Sequence, residues 1–315
     1  MIAAVLFGIA TPVIKLLLSF SHPLALATFL YLGAGAGILV FSLLKSSRNM
    51  PGGISFSLKG SSRWLTGTIL TGGIVAPVIQ FTALSVTPAA TAALLLNFEI
   101  IATAGFAWGI FHERVNRNLL FALILVLAGS LLLSWDIGSV WGFSLGSIGI
   151  ICSCLFWGLD NNLMGKIRID DPSIIVLIKG LAGGCILFLV MLVIRIPLPG
   201  QEIILATMLT GFFTFGFGLI FLIKSLRLLG AARTGAYFAT APFIGAVSSL
   251  ILFWESPGLQ ILLSIPLFAA GVMSLVSEGT GGSGCFLHGP VGRIFNHRPI
   301  SKFRILLLQI SGNVS

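Results

Sequence analysis

Apolar runs of about twenty residues recur along this chain, and no other feature narrows its fold as much. A run of that length is what an α-helix needs to cross about 30 Å of hydrocarbon. Ten candidate spans can be marked, at residues 1–20, 23–44, 64–84, 90–111, 119–135, 141–164, 173–195, 202–223, 235–254 and 259–276. The bilayer interior offers no water to backbone groups, so only helices and closed barrels span it. Barrel strands read as short alternating segments, and none is evident here. The expected fold class is an all-α polytopic membrane protein with ten transmembrane helices. Composition agrees, with 57% hydrophobic and 9% charged residues and a mean hydropathy of +1.08. A soluble domain carries about 25% charged residues. Eighteen Lys and Arg with nine Asp and Glu cannot clothe a soluble surface of this size, which excludes a water-soluble enzyme. Ten spans leave room for short loops and one tail, not for a separate soluble domain.

The net charge of +9 resembles a nucleic-acid signal, but its placement argues otherwise. Lys45, Arg48, Lys59 and Arg63 follow span 2. Arg114 and Arg117 follow span 4, and Lys166 and Arg168 follow span 6. Lys224, Arg227 and Arg233 follow span 8, while Arg293, Arg298, Lys302 and Arg304 lie in the tail. The intervening loops hold only Arg195, and Lys15 and Lys179 lie within spans, so 15 of 18 cations share one side. The positive-inside rule makes that side cytoplasmic, which places both termini there and fits an even number of spans. Trp64, Trp135, Trp141 and Trp254 fall at predicted span ends, as in an aromatic belt. Met1 opens directly into apolar sequence with no basic segment before it, so the first run is read as a retained span rather than a cleaved signal. The Ser- and Gly-rich stretch 46–62 and the segment EGTGGSG at 278–284 read as flexible connections. Residues 285–315 form a basic tail whose apolar run, 305–310, is too short to span. Cys152, Cys154, Cys185 and Cys285 form no CxxC pair and read as apolar filler.

The chain also repeats itself. A slide of 142 residues lays Glu113 on Glu255, Gly129 on Gly271, Leu84 on Leu226 and Ala89-Ala90 on Ala231-Ala232. A slide of 150 lays Phe7-Gly8 on Trp157-Gly158. The division gives two halves of five spans. Five is odd, so the halves run in opposite orientations, as in an inverted repeat.

Two segments carry a family resemblance. Residues 81–133 contain small residues entering a helix, Glu113 where it ends, and Gly129 sixteen residues later; residues 225–275 repeat this with Glu255 and Gly271. Each half opens on an aromatic-Gly pair, Phe7-Gly8 and Trp157-Gly158. In these features the chain resembles the EamA-like branch of the drug/metabolite transporter superfamily, over about residues 1–277. It departs from the usual pattern at His112 and Trp254, where a Gly often precedes the terminal Glu, and at Glu99-Ile100 and Ala241-Pro242 in mid-helix. The resemblance implies an EamA-like five-helix repeat over 1–135, a second over 136–277, and a basic cytoplasmic tail over 278–315. It implies a secondary transporter, expected to be an exporter, that moves small metabolites, amino-acid-like or other organic solutes or drugs, across the plasma membrane. By the same resemblance spans 1, 3, 4, 6, 8 and 9 enclose the pathway.

The residues themselves nominate a site. Glu99 falls near the middle of span 4, where a carboxylate costs at least about 2.5 kcal/mol. It must be protonated, paired, or open to a water-filled cavity, and protonation from one side would couple transport to a proton gradient. In span 6, Trp157, Asp160, Asn161 and Met164 share a face by three-four spacing. An aromatic plate beside a carboxyl and an amide suits a small polar organic ligand; for Asp160 the competing reading is a hydrated helix end paired with Lys166 or Arg168. Lys15 shares a face with Phe7 and Thr11. It either snorkels outward or enters the cavity as an anion site or a partner of Glu99. Lys179 is expected to snorkel inward. Gln80, Tyr237 and Thr240 are uncharged groups fit to line a pathway or to act as interhelical glue. Glu113 and Glu255 read as structural. Three glycine stripes, at 33, 35 and 37, at 180, 183 and 184, and at 211, 216 and 218, allow close helix approach.

No cofactor or metal is expected, and GxxxxGK[ST] is absent, which argues against ATP hydrolysis. The partners implied are a small-molecule solute and the lipid bilayer, with homodimer formation left open and no nucleic acid. Two other classes compete: an intramembrane lipid-modifying enzyme, which would need clustered acids or histidines, and a non-transporting sensor or scaffold on the same fold. His22, His112, His288 and His297 are scattered, which disfavours the enzyme.

Overall fold

The computed structural model describes residues 2–46, 61–110, 117–135, 144–169, 171–229, 238, 240–254 and 257–281. Every extended element among them is a helix. Helix α1 is Ile2–Leu18, α2 is Pro23–Ser46 and α3 is Ser62–Thr68. A π-helical segment π1, Ile69–Val75, continues into α4, Ala76–Ser85. Then follow α5 (Ala89–Leu95), α6 (Phe98–Gly109), α7 (Arg117–Ser134), α8 (Leu145–Met164) and α9 (Pro172–Val193). Helix α10 (Gln201–Gly211) runs through a second π segment π2, Phe212–Gly218, into α11, Leu219–Leu229. The last two are α12, Ala241–Phe253, and α13, Leu259–Gly281, so α13 stays helical into the stretch expected to be a linker. The loop 47–60, Glu113, Trp141, Asp170, Tyr237, Glu255 and the tail from 282 lie outside the described residues.

Five continuous helical stretches are long and apolar enough to cross a membrane: Pro23–Leu44, Ser62–Ser85, Ala89–Gly109, Pro172–Val193 and Gln201–Ser225. Ile2–Leu18, Ala241–Phe253 and Leu259–Ser274 are shorter apolar helices. Leucine, valine and isoleucine side chains such as Leu44, Val193, Leu205 and Leu262 point outward, exposed. An apolar exterior on helices of this length belongs in lipid, and the protein is a multi-pass membrane protein.

Packing follows the glycines. The stripe on α2 meets both other stripes: a Cβ on Gly35 would lie 2.6 Å from the backbone of Leu181, and one on Gly211 would lie 1.9 Å from the Leu30 carbonyl oxygen. Gly35, Gly180, Gly184 and Gly211 thus clasp α2 between α9 and α10, while Gly183 abuts Gly73 of π1 and Gly218 abuts Phe7 of α1. Other pairings are reciprocal. Helix α1 packs on α12 as α8 packs on α6, while α2 meets α9 and α7 meets α13. Gly8 abuts Ala241 and Ile244 of α12, and Gly158 abuts Ala102 and Thr103 of α6. The opening helix of each half therefore lies on a later helix of the other.

Three interruptions of regular helix position the interior. Between α5 and α6 the chain tightens at Leu96-Asn97. The Asn97 amide donates to the Leu94 carbonyl at 3.1 Å and its side-chain Nδ2 donates to the same oxygen at 2.9 Å. Asparagine competes for backbone partners in this way and weakens a helix interior. The two π segments begin at Ile69 and Phe212, 143 residues apart. In each, the third residue is a threonine whose hydroxyl bonds to a carbonyl four residues back: Thr71 to Gly67 at 2.8 Å and Thr214 to Thr210 at 2.7 Å. Such back-bonding loosens the α ladder. Pro77, which cannot donate a ladder hydrogen bond, follows π1 in α4.

Candidate functional site

A cavity of about 90 Å³ lies between the break before α6 and π2, with π1 behind its Tyr31 and Asp160 wall. At a liquid volume of about 30 Å³ each, that is room for about three water molecules, the scale of a small solute. Phe7, Thr11 and Ile14 of α1 face it from one side, and Gln80 of α4 and Glu99 of α6 from another. Helix α8 contributes Trp157, Asp160, Asn161 and Met164, so the four residues of its predicted face line one space. Tyr31, Lys179, Phe215, Phe238, Ala241 and Pro242 complete most of the wall.

Glu99 stands in the first turn of α6, just after the break at Asn97. The break gives α6 its own N-terminus, whose dipole favours a carboxylate, while the amides of Glu99 and Ile100 bond to the carbonyls of Leu96 at 3.0 Å and Asn97 at 3.2 Å. The Glu99 Oε1 accepts a hydrogen bond from Asn161 Nδ2 at 2.9 Å, and the same Nδ2 reaches Thr103 Oγ1 at 3.2 Å. Asn162 donates to the carbonyls of Thr103 at 2.9 Å and Gly158 at 2.8 Å. These bonds lock α8 to α6 where Gly158 lets them touch. Gln80 Oε1 accepts from the Trp157 indole at 2.7 Å, which fixes the ring as a wall of the cavity.

Asp160 and Lys179 correct the sequence expectations for both. Lys179 does not snorkel. It is 2% exposed and its Nζ lies 2.5 Å from Asp160 Oδ2. Asp160 is not a hydrated helix end paired with Lys166 or Arg168; it is fully buried and paired with Lys179. The reason is packing. Although both residues lie near helix ends in sequence, α8 and α9 press them against π1, where Gly72 has no Cβ; a methyl there would lie 2.2 Å from the Asp160 carboxyl. The Lys179 ammonium also sits 5.4 Å from the centre of the Trp157 ring. Asp160 Oδ1 is buried without a hydrogen-bond partner.

Lys15 does not line the cavity. Its ammonium donates to the carbonyls of Leu84 at 2.7 Å and Ser85 at 2.9 Å, where it satisfies the last carbonyls of α4 and complements the negative end of its dipole. Thr240 sits just before α12 and also lies outside the cavity lining. Tyr237 is outside the described residues. Thr11, Gln80, Glu99, Trp157, Asp160 and Asn161 are brought together.

The structure adds residues that spacing did not mark. Tyr31 of α2 is buried, and its hydroxyl donates to the Gly72 carbonyl of π1. Its ring lies 5.5 Å from that of Phe215 in π2. Phe215 in turn meets Phe7 edge-on at 5.6 Å and Trp157 at 5.9 Å, and Phe7 meets Phe238 at 5.4 Å. Gly72 and Phe215 occupy the same position in the two π segments, one residue after the threonine. Aligning the two T-x-G patterns, Thr71–Gly73 and Thr214–Gly216, was the available sequence signal for both. Among the described residues no group of three or more His, Cys, Asp or Glu could hold a metal ion.

Fold and cavity together define a multi-pass helical membrane protein with a solute-sized, amphipathic interior site. The model of the EamA-like transporter family matches residues 1–135 and 144–277. The chain belongs to that family, within the drug/metabolite transporter superfamily. A relative from Methanothermobacter thermautotrophicus, described as an uncharacterized transporter, is 26% identical over 293 residues, spanning 88% of this chain and 84% of the relative. One solved crystal structure superposes with a TM-score of 0.55 at 18% identity, covering 89% of this chain and 99% of that one; that likeness shows the fold. Family and relative point to a transporter rather than an enzyme.

Proposed function

We propose that this protein is a secondary active transporter that moves a small organic solute through the cavity around Glu99 by alternating access. The observation that carries the reading is the convergence of Glu99, Asn161, Gln80, Trp157 and the Asp160–Lys179 pair on one interior cavity beside a broken helix and two π segments. Irregular backbone at membrane depth is tolerated where it lines a cavity, and carriers build their sites from such breaks. Ten spans arranged as inverted repeats, over 1–135 and 136–277, fit the reciprocal packing and the matched π segments. Glu99 serves as the proton-coupling carboxyl, since a mid-span acid open to the cavity can exchange a proton with whichever side the cavity faces. Thr11 and Gln80 contribute polar wall, and Tyr237 and Thr240 stay in the proposal as pathway residues from the segment before α12. Location in the plasma membrane, cytoplasmic termini and export follow from the charge pattern and the family resemblance.

The test is metabolite profiling of cytosol and medium in cells that carry the native chain or Glu99→Gln at matched membrane levels. At least one small solute is expected to redistribute with the native protein, and the variant, though inserted normally, is expected to lower that flux at least tenfold. Equal redistribution by both would reduce Glu99 to a structural role.

A further inference from the structure

We infer that the cavity selects monovalent organic amines over amino acids and organic anions. The inference rests on the carrier reading and adds the charge of its cargo. Among the described residues three charged side chains line the cavity: Glu99, Asp160 and Lys179. The lysine is the natural place for a ligand carboxylate, but its charge is already cancelled by Asp160 at 2.5 Å. A ligand anion would have to take Lys179 from a carboxylate that is fully buried and pressed on the Gly72 backbone. Displacement would leave Asp160 as an unpaired interior charge, the outcome a buried pair resists most. Glu99 has the opposite situation: its Oε1 accepts from a neutral amide, Asn161. With Glu99 ionised, the described lining therefore carries one negative charge in excess.

Hydrogen-bond capacity points the same way. Asp160 Oδ1 is a buried acceptor that lacks a donor. A primary ammonium supplies three N–H donors and a positive charge, whereas a ligand carboxylate would bring only further acceptors. The remaining wall is mainly apolar, and within it Phe238, Phe7, Phe215 and Trp157 form a chain of ring contacts. Aromatic faces attract organic cations and shelter an apolar body.

The test uses the purified full-length chain in lipid nanodiscs at fixed neutral pH, titrated calorimetrically with three probes of one shape: 2-phenylethylamine, phenylalanine and phenylacetate. The amine is expected to bind at least tenfold more tightly than phenylalanine, and phenylacetate more weakly still. Glu99→Gln should weaken amine binding at least tenfold, and Glu99→Asp, which keeps the charge, should lose less. Asp160→Asn, which releases Lys179, should shift the preference toward phenylalanine. Absence of amine binding, or phenylalanine or phenylacetate binding within threefold of the amine, overturns the inference. Counterflow of labelled amine into vesicles separates the two claims. Amine that binds while no solute of a metabolite mixture moves faster than in empty vesicles removes the transporter reading and leaves the selectivity. Phenylalanine that is carried while the amine does not bind removes the selectivity and leaves the transporter.

Discussion

A buried ion pair holds two charges away from water, and its contribution depends on both staying. Asp160 and Lys179 are 1% and 3% exposed at their side chains, so removing one strands the other. Lys179→Met is expected to cost about 3–5 kcal/mol, read as a lower midpoint in thermal or denaturant unfolding. Adding Asp160→Asn should recover more than half of that loss. A single variant as stable as the native chain would show that the pair is not the electrostatic unit assigned here. At this scale the sequence singled out Glu99, which lines the cavity, because a carboxyl at mid-span has few readings. It marked Lys179 badly, because a lysine near a span end has an inexpensive alternative in snorkelling. Only the approach of α8 and α9 to π1 decides between them, and nothing in either helix alone announces that approach. Tyr31 was invisible for a related reason: its partner is a backbone carbonyl, at Gly72, which carries no side-chain signature.

Among the elements, the π segments tie the site to helix packing. π1 presents Gly72 to the Asp160 carboxyl, and π2 presents Phe215 to Phe7, Tyr31 and Trp157. π-bulges inside helices frequently mark functional sites. Gly72→Ala would place a methyl carbon 2.2 Å from that carboxyl, so the ion pair must shift. The substitution is expected to cost about 1–3 kcal/mol of stability and to lower transport, measured together on one membrane preparation. Native stability and native flux in Gly72→Ala would dissociate π1 from the site. The helices themselves were legible as apolar runs. The π segments were not, because a widened turn leaves the hydrophobic pattern almost unchanged. The break before α6 was visible only as Asn97 beside Glu99 in an otherwise apolar stretch.

For the molecule as a whole, the main contacts join the two halves. Helices α1 and α12, α6 and α8, α2 and α9, and α7 and α13 all pair across the midpoint. Neither half can bury its contact faces alone. Residues 1–135 expressed by themselves are expected to aggregate or be degraded, and co-expression with the remainder of the chain should restore a stable complex, seen by size-exclusion chromatography in detergent. A first half that is stable and monodisperse alone would contradict that mutual dependence. The slide that laid Phe7-Gly8 on Trp157-Gly158 located both contact glycines, since Gly8 and Gly158 are where the opening helices touch the opposite half. It gave no partners, because self-similarity relates positions within the chain and not the surfaces that meet.

The central claim is that a solute crosses the membrane through the cavity around Glu99. The most direct measurement loads vesicles holding purified native protein, Glu99→Gln or no protein with a mixed extract of small metabolites under an imposed pH gradient, then follows the lumen by mass spectrometry. The expected result is at least one solute whose lumenal content changes with the native protein at least tenfold faster than with the variant or with empty vesicles. The contradicting result is a native lumen that changes no faster than that of empty vesicles for every solute.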